Sequence, residues 1–199
     1  MDGLPAGNGM AFILVQHLDP THESMMVDLL AGHTSMTVGQ ATDGMPIEPD
    51  HLYVIPPATY LSIGDGALHQ SRPQAPHGAR LPFDFLLHSL AEECGPRAVA
   101  VILSGTGADG TLGLKAVKEA GGLVTAQEPD EAGFDGMPLS AIATGAVDLV
   151  LPVAKIPDAL VTYDRRMILT RKQNGSRVKD SAPEWLPEII ELLHTTISP

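Results

Sequence analysis

The sequence has 199 residues, of which 44% are hydrophobic and 18% charged, enough to bury the core of one domain and too apolar for wholesale disorder. The formal net charge is −12 at pH 7, and so acidic a body repels phosphate backbones, which argues against a nucleic-acid partner. No apolar run approaches the ~20 residues that cross a bilayer. Residues 1–8 lack the pattern of a signal peptide, and a single cysteine excludes an internal disulfide. We therefore expect a cytoplasmic protein without membrane insertion.

The predicted elements alternate between strands and helices. Residues 10–16 form a short unbroken apolar run, typical of a strand buried on both faces, and a helix is predicted to begin at Thr21. Short strands interrupted by Pro and Gly are predicted between residues 43 and 72. The predicted elements that follow are a helix at 82–94, a strand at 98–104, a helix at 111–120, a strand at 123–127, a helix at 138–144, a strand at 147–151 and a helix at 157–163. This order predicts an α/β fold, a three-layer αβα domain with a mostly parallel, Rossmann-like sheet and a small β-hairpin excursion.

The charge balance changes near residue 163. Residues 1–163 carry six Lys and Arg against 19 Asp and Glu, whereas residues 164–199 carry six against five. We interpret 1–163 as the folded domain and 164–183 as a charged linker, because this stretch is polar and has no period. Residues 184–199 are predicted to be a helical tail that could begin a following domain.

Two loops at predicted strand ends carry residues suited to chemistry. Ligands of open α/β sheets bind outside the carboxyl ends of the strands. His17 follows the first predicted strand, and Asp109 lies in the glycine-rich loop 105–110 after the strand at 98–104. A histidine there can accept a proton from a hydroxyl nucleophile, and a carboxylate can fix its tautomer. The alternative for each residue is local, a hydrogen-bonded histidine and an aspartate that caps a helix.

The same loop, Gly-Thr-Gly-Ala-Asp-Gly, also fits the dinucleotide-binding pattern G-x-G-x-x-G, with Glu128 at the end of the next strand. That pattern normally opens the first βαβ unit, whereas about half of this chain precedes it. One clear strand follows Glu128, too few for the second half of a dinucleotide fold. Dinucleotide binding is therefore the weaker alternative. No H-E-x-x-H motif or close His/Cys cluster is present, so we expect neither a metal nor another cofactor.

Four segments, taken together, resemble the catalytic domain of the chemotaxis protein-glutamate methylesterases. In order they are QHLDPTHES, DGMPIEPDHLYVIPP, ILSGTGADGTLGLKAVKEAGG and FDGMPLSAIATGAVDLVLP. The resemblance runs from about Gly9 to Leu160 and is closest to methylesterase modules fused ahead of a chemotaxis methyltransferase. It implies hydrolysis of glutamyl methyl esters on methylated chemoreceptor-type proteins to glutamate and methanol, and deamidation of certain glutamines. It also implies a fused or adjacent methyltransferase as partner.

The family uses a Ser-His-Asp triad on a parallel sheet. The resemblance implies that His17 is the general base and Asp109 its orienting partner. It also places Thr106 and Gly107 in an active-site loop, with the Thr106 backbone N–H as a candidate oxyanion donor.

The family serine lies in a G-A-S-x-G-G turn after the first strand, upstream of the histidine. No serine occurs among the sixteen residues before His17. We therefore expect that the chain is truncated at its N-terminus, lacks the nucleophile and is inactive. Ser104, at a strand end, is the best-placed spare serine.

Loss of the first strand would remove a central strand of such a sheet. We therefore expect unpaired strand edges and uncovered apolar surface. The alternative function is a non-catalytic interaction module derived from the esterase, which keeps the sheet to dock a methyltransferase or a receptor tail.

Overall fold

The computed structural model describes residues 7–16, 25–72, 81–173 and 189–194. Its strands are β1 (Ala11–Gln16), β2 (Thr37–Gln40), β3 (Met45–Pro46), β4 (His51–Val54), β5 (Tyr60–Gly64), β6 (Ala67–Ser71), β7 (Ala98–Ile102), β8 (Leu123–Gln127), β9 (Leu149–Leu151) and β10 (Ile189–His194). Its helices are α1 (Met26–Ala31), α2 (Pro82–Cys94), α3 (Thr111–Glu119), α4 (Gly136–Ala143) and α5 (Ile156–Gln173).

Within the described residues, seven strands form a main sheet of order β2-β4-β1-β10-β7-β8-β9. Every neighbouring pair in this sheet is parallel. A smaller antiparallel sheet, β3-β6-β5, contains the hairpin between β5 and β6. The predicted αβα class with a parallel sheet and a hairpin excursion is confirmed. The sheet also includes β4, which the sequence assigned to the excursion, and β2, which was not predicted.

The main sheet has a hydrophobic core on each face. All six residues of β1 are buried, and because successive side chains point to opposite faces, alternate residues enter different cores. Ile13 and Val15 belong to the core packed under α2 and α3. Phe12 and Leu14 belong to the core that α5 covers with Ile156 and Leu160. The two cores give the three layers of the fold.

The middle strand of the sheet is β10, which pairs with β1 on one side and β7 on the other. Ile189 lies opposite both Ala11 and Ala98. The prediction of a helical tail is therefore wrong for residues 189–194. Pairing with two strand edges outweighs a local preference for helix. The expected unpaired edges at the centre of the sheet are likewise not found among the described residues, because β10 occupies that position.

Helix α5 is longer than the sequence predicted. It runs from Ile156 to Gln173, so residues 164–173 of the predicted linker are helical. This segment lacks Pro and Gly and includes Arg, Met and Leu, which favour helix. Residues 174–183 of the predicted linker lie outside the described residues, as do Thr21 at the predicted start of α1 and His17. None of the helices described here is both long enough and apolar enough to span a membrane.

A proline in the middle of β10 tests its place in the sheet. Leu192 lies opposite Leu14 of β1 and Val101 of β7. Leu192→Pro removes a backbone N–H from a central strand and leaves a carbonyl of its neighbour without a donor, so we expect the free energy of unfolding to fall by about 1–3 kcal/mol. Leu192→Val keeps that N–H and is the control. Urea denaturation followed by circular dichroism measures both, and equal stability of the two variants would show that residue 192 is not in the sheet.

Candidate active site

Asp109 lies in the loop between β7 and α3, where its carboxylate caps the amino end of α2. Its Oδ2 accepts the backbone N–H of Phe83 at 3.2 Å, and its Oδ1 accepts that of Asp84 at 3.2 Å. These are the second and third residues of α2, whose N–H groups have no partner within the helix. A carboxylate at this end is also favoured by the helix dipole. The two capping bonds therefore also fix the orientation of the Asp109 carboxylate.

The capping is reciprocal between α2 and α3. Asp84 is buried in α2, and its Oδ1 accepts the N–H of Gly113 at 2.7 Å in the first turn of α3. The two helices touch at Gly113, where a Cβ atom would lie 2.4 Å from the Cβ of Leu87. Only glycine permits this approach. Asp84 was not predicted as a site residue; the sequence signal for it is an acidic residue in the first turn of a helix that begins with Pro82.

Burial raises the pKa of Asp109 from 3.8 to about 6, against the lowering effect of the hydrogen bonds from Phe83 and Asp84. The nearby carboxylate of Asp84 adds to the increase. The carboxylate form of Asp109 therefore still predominates at neutral pH. An aspartate with this pKa changes charge within the range in which an imidazole also titrates.

The turn before Asp109 depends on glycine. Gly107 has φ +99° and Gly110 has φ +96°, a region that residues with a Cβ rarely occupy. Thr106 and Gly107 are exposed. The backbone of this turn is therefore accessible to a ligand next to the partly buried Asp109.

The turn is anchored to the segment that leads into α4. Gly105 donates its N–H to the carbonyl of Phe134 at 2.9 Å, and its own carbonyl accepts the N–H of Met137 at 2.8 Å. The hydroxyl of Ser140 donates to the carbonyl of Gly107 at 3.1 Å. These bonds attach the turn to the segment around α4, in addition to the bonds between Asp109 and α2.

Ser104 joins two loops. Its Oγ accepts the N–H of Phe134 at 2.9 Å, and its N–H donates to Oε1 of Gln127 at 2.8 Å. The serine that the sequence offered as the best-placed spare thus has a structural role between the loops after β7 and β8.

His17 directly follows Gln16, the last residue of β1, and lies outside the described residues. Strands β1 and β7 are separated by β10 and run parallel, so the strand ends that precede His17 and the Asp109 loop lie at the same edge. At ~4.8 Å between neighbouring strands, those ends are roughly 10 Å apart. The pairing of His17 with Asp109 stays a prediction. In the part of the chain that the structure describes, no group of three His, Cys, Asp or Glu side chains is arranged to hold a metal ion.

The family model for CheB methylesterase matches residues 1–160. This chain belongs to the CheB methylesterase family. The crystal structure of the Thermotoga maritima CheB methylesterase catalytic domain matches with a TM-score of 0.73 and 32% identity, over 81% of this chain and 87% of that one. The fold and the recognised family are therefore confirmed.

The curated relatives are longer proteins. The protein-glutamate methylesterase/protein-glutamine glutaminase 1 of Myxococcus xanthus is 34% identical over 170 residues, 83% of this chain and 49% of that protein. An uncharacterised 104.1 kDa protein of Rhodobacter capsulatus is 42% identical over 157 residues, 79% of this chain and 16% of that protein. The chain thus spans about half the length of the first relative and about a sixth of the second.

The raised pKa of Asp109 predicts a pH-dependent stability. Because the folded chain holds this proton more tightly than the unfolded chain, the stabilisation is complete below about pH 4 and is lost as the pH rises through about 6. Asp109→Asn removes the titration. As the pH rises from about 4 to about 6, the free energy of unfolding of the parent chain should therefore fall by about 1–2 kcal/mol relative to that of the variant, after allowance for solvent screening.

Denaturation at a series of pH values measures this shift. Asp135→Asn is the control, since it removes one exposed negative charge next to the same turn. A pH profile of Asp109→Asn parallel to that of the parent chain would contradict the raised pKa.

Proposed function

We propose that this chain is the ester-hydrolysing part of a protein-glutamate methylesterase of bacterial chemotaxis or signalling. The substrates are glutamyl methyl esters on methylated chemoreceptor-type proteins, which are converted to glutamate and methanol, and certain receptor glutamines, which are deamidated. The family match over residues 1–160 carries this proposal. Relatives from Myxococcus xanthus, Bordetella parapertussis and Thermotoga maritima are named protein-glutamate methylesterase/protein-glutamine glutaminase.

In the proposed mechanism His17 accepts the proton of an attacking hydroxyl. That oxygen bonds to the ester carbonyl carbon, and the backbone N–H of Thr106, beside Gly107, stabilises the negative charge on the tetrahedral oxygen. His17 then returns the proton to the leaving methoxide, which departs as methanol. Water repeats the sequence on the acyl-enzyme, and glutamate is released.

Asp109 orients His17 and stabilises the imidazolium that forms in each half of the reaction. The bonds from Phe83 and Asp84 support this role because they hold the carboxylate in one place. Its pKa of about 6 supports a decline in activity toward acidic pH, where the protonated acid can no longer stabilise a positive imidazole.

The 199 residues contain no G-A-S-x-G-G turn, so they lack the serine that serves as the nucleophile in the family. Ser104 does not replace it in our proposal, since its Oγ already accepts the N–H of Phe134. We therefore expect the 199-residue chain, by itself, to be inactive. In a triad whose members act together, loss of the serine removes about 10⁶-fold in kcat.

Methanol release tests the function in two arms. The 199-residue chain should release methanol from a methylated receptor no faster than its Asp109→Ala variant. The same chain preceded by a strand and a G-A-S-x-G-G turn of the family pattern should show turnover, because the turn supplies the nucleophile. His17→Ala should abolish that turnover.

Ser104→Ala is the control. Turnover by the 199-residue chain that disappears in Ser104→Ala would overturn the proposed lack of a nucleophile. An inactive extended chain that folds would overturn the esterase proposal.

The proposed contact between His17 and Asp109 has its own test. With Cys94 replaced by Ser, the pair His17→Cys and Asp109→Cys should be joined rapidly by a short bifunctional thiol reagent, because both positions follow strands at one edge of the sheet. The pair His17→Cys and Asp158→Cys is the control, since Asp158 lies in α5 and not in a loop after a strand. Mass spectrometry of the intact chain detects the crosslink, and equal yields from both pairs would refute the contact.

The alternative function is a non-catalytic interaction module that docks a methyltransferase or a receptor tail. The 199 residues contain no G-A-S-x-G-G turn, and the described residues form a continuous seven-stranded sheet; these two observations favour this candidate. Dinucleotide binding is weaker, because two N–H groups of the glycine loop and the following helix are already donated, from Gly105 to Phe134 and from Gly113 to Asp84. A phosphate would also have to approach the carboxylate of Asp109.

A further inference from the structure

The helix ends around the Asp109 loop carry large apolar side chains that are exposed. We call this set the apolar rim; each member is 42–57% exposed, and they are Leu81 and Phe85 at α2, Leu112 in α3, and Phe134 and Leu139 at α4. Isolated exposed apolar residues are ordinary in soluble proteins, whereas several around one site indicate an interaction surface. The apolar rim therefore indicates an interaction surface at this edge of the sheet.

The rim is tied to the candidate site by hydrogen bonds of the same segments. Phe134 bonds through its backbone to Ser104 and Gly105. Leu139 precedes Ser140, whose hydroxyl donates to the carbonyl of Gly107. These bonds place the α4 side of the rim beside the exposed turn that precedes Asp109.

The α2 and α3 side of the rim is tied to the same loop. Leu81 and Phe85 flank the residues of α2 that donate to Asp109. The ring of Phe85 lies 5.3 Å from that of Tyr60, whose hydroxyl accepts the N–H of Leu81 at 3.2 Å. Leu112 precedes Gly113, which donates to Asp84. The apolar rim thus lies on both sides of the Asp109 loop, and the contacts with Tyr60 hold Leu81 and Phe85 in place.

We propose that the apolar rim is the docking surface for the substrate polypeptide, and that it selects segments with apolar side chains beside the modified glutamate. This inference rests on the proposed function: the ester is then a side chain of a protein, so the backbone on either side of it must cross the surface around Asp109. The net charge of −12 supports apolar contact as the source of affinity, because an acidic body attracts a glutamate-rich segment poorly.

Peptide binding to the full chain tests this surface. The probe is a fluorescein-labelled amphipathic peptide with a central glutamine, which carries no charge, and leucines three and four residues away on either side. Fluorescence anisotropy should show saturable binding. The double variant Leu112→Ser/Leu139→Ser should weaken it by about tenfold or more, because buried apolar contacts near the centre of an interface dominate affinity. A peptide with serines in place of the leucines should not bind.

The matched control is Ile168→Ser/Leu169→Ser on α5. Leu169 is 57% exposed, as is Leu112, and Ile168 is 44% exposed compared with 49% for Leu139. These residues belong to the helix on the other face of the sheet, so binding should be unchanged. Equal weakening by both double variants, or none by the rim variant, would overturn the docking surface. Dimerisation of the parent chain that the rim variant abolishes would also overturn it, in favour of self-association.

The peptide-binding and methanol-release experiments together distinguish a failure of the docking-surface proposal from a failure of the esterase proposal. If the rim variant loses binding while the extended chain of the methanol assay stays inactive, the surface stands and the esterase proposal falls. If the extended chain is active and the rim variant keeps full binding, the docking surface falls alone.

Discussion

The pairing of β10 with two strands at once is the constraint on which the rest of the structure depends. It joins the half-sheet β2-β4-β1 to the half-sheet β7-β8-β9. Buried side chains of both halves meet in the same cores, but the backbone of β10 sets the spacing between the ends of β1 and β7. In the chain these ends are followed by His17 and by the Asp109 loop. The distance between the two strand ends is therefore determined by residues 189–194, which are remote from both in sequence.

The second constraint is the exchange of carboxylates between α2 and α3. Each helix needs an acceptor for the N–H groups of its first turn, and each receives one from an aspartate of the other segment. Burial opposes ionisation of Asp109 while these bonds favour it. The carboxylate is thus held in place by the helix it caps, which is the condition for orienting a neighbouring base.

The sequence predicted the parts of the fold that depend on local pattern. Unbroken apolar runs predicted β1, β7 and β8, and the glycine-rich loop predicted a turn at Asp109. The strand β10 could not be predicted, because its formation depends on two distant edges and not on its own residues. Prolines around β4 suggested a hairpin, whereas pairing with β1 places it in the main sheet. Asp84 escaped notice because its partner, Gly113, is 29 positions away.

The order of the strands has a consequence for how the chain is made. Ala11 pairs with Ile189, so the ribosome must add 178 residues before β1 can pair with β10, whereas β4, on the other side of β1, is made much earlier. At about 5–20 residues per second this takes roughly 10 to 40 s. During that interval the facing edges of β1 and β7 have no partner, and pairings with so long a sequence separation form slowly. Nascent chains with such open edges are natural clients of chaperones.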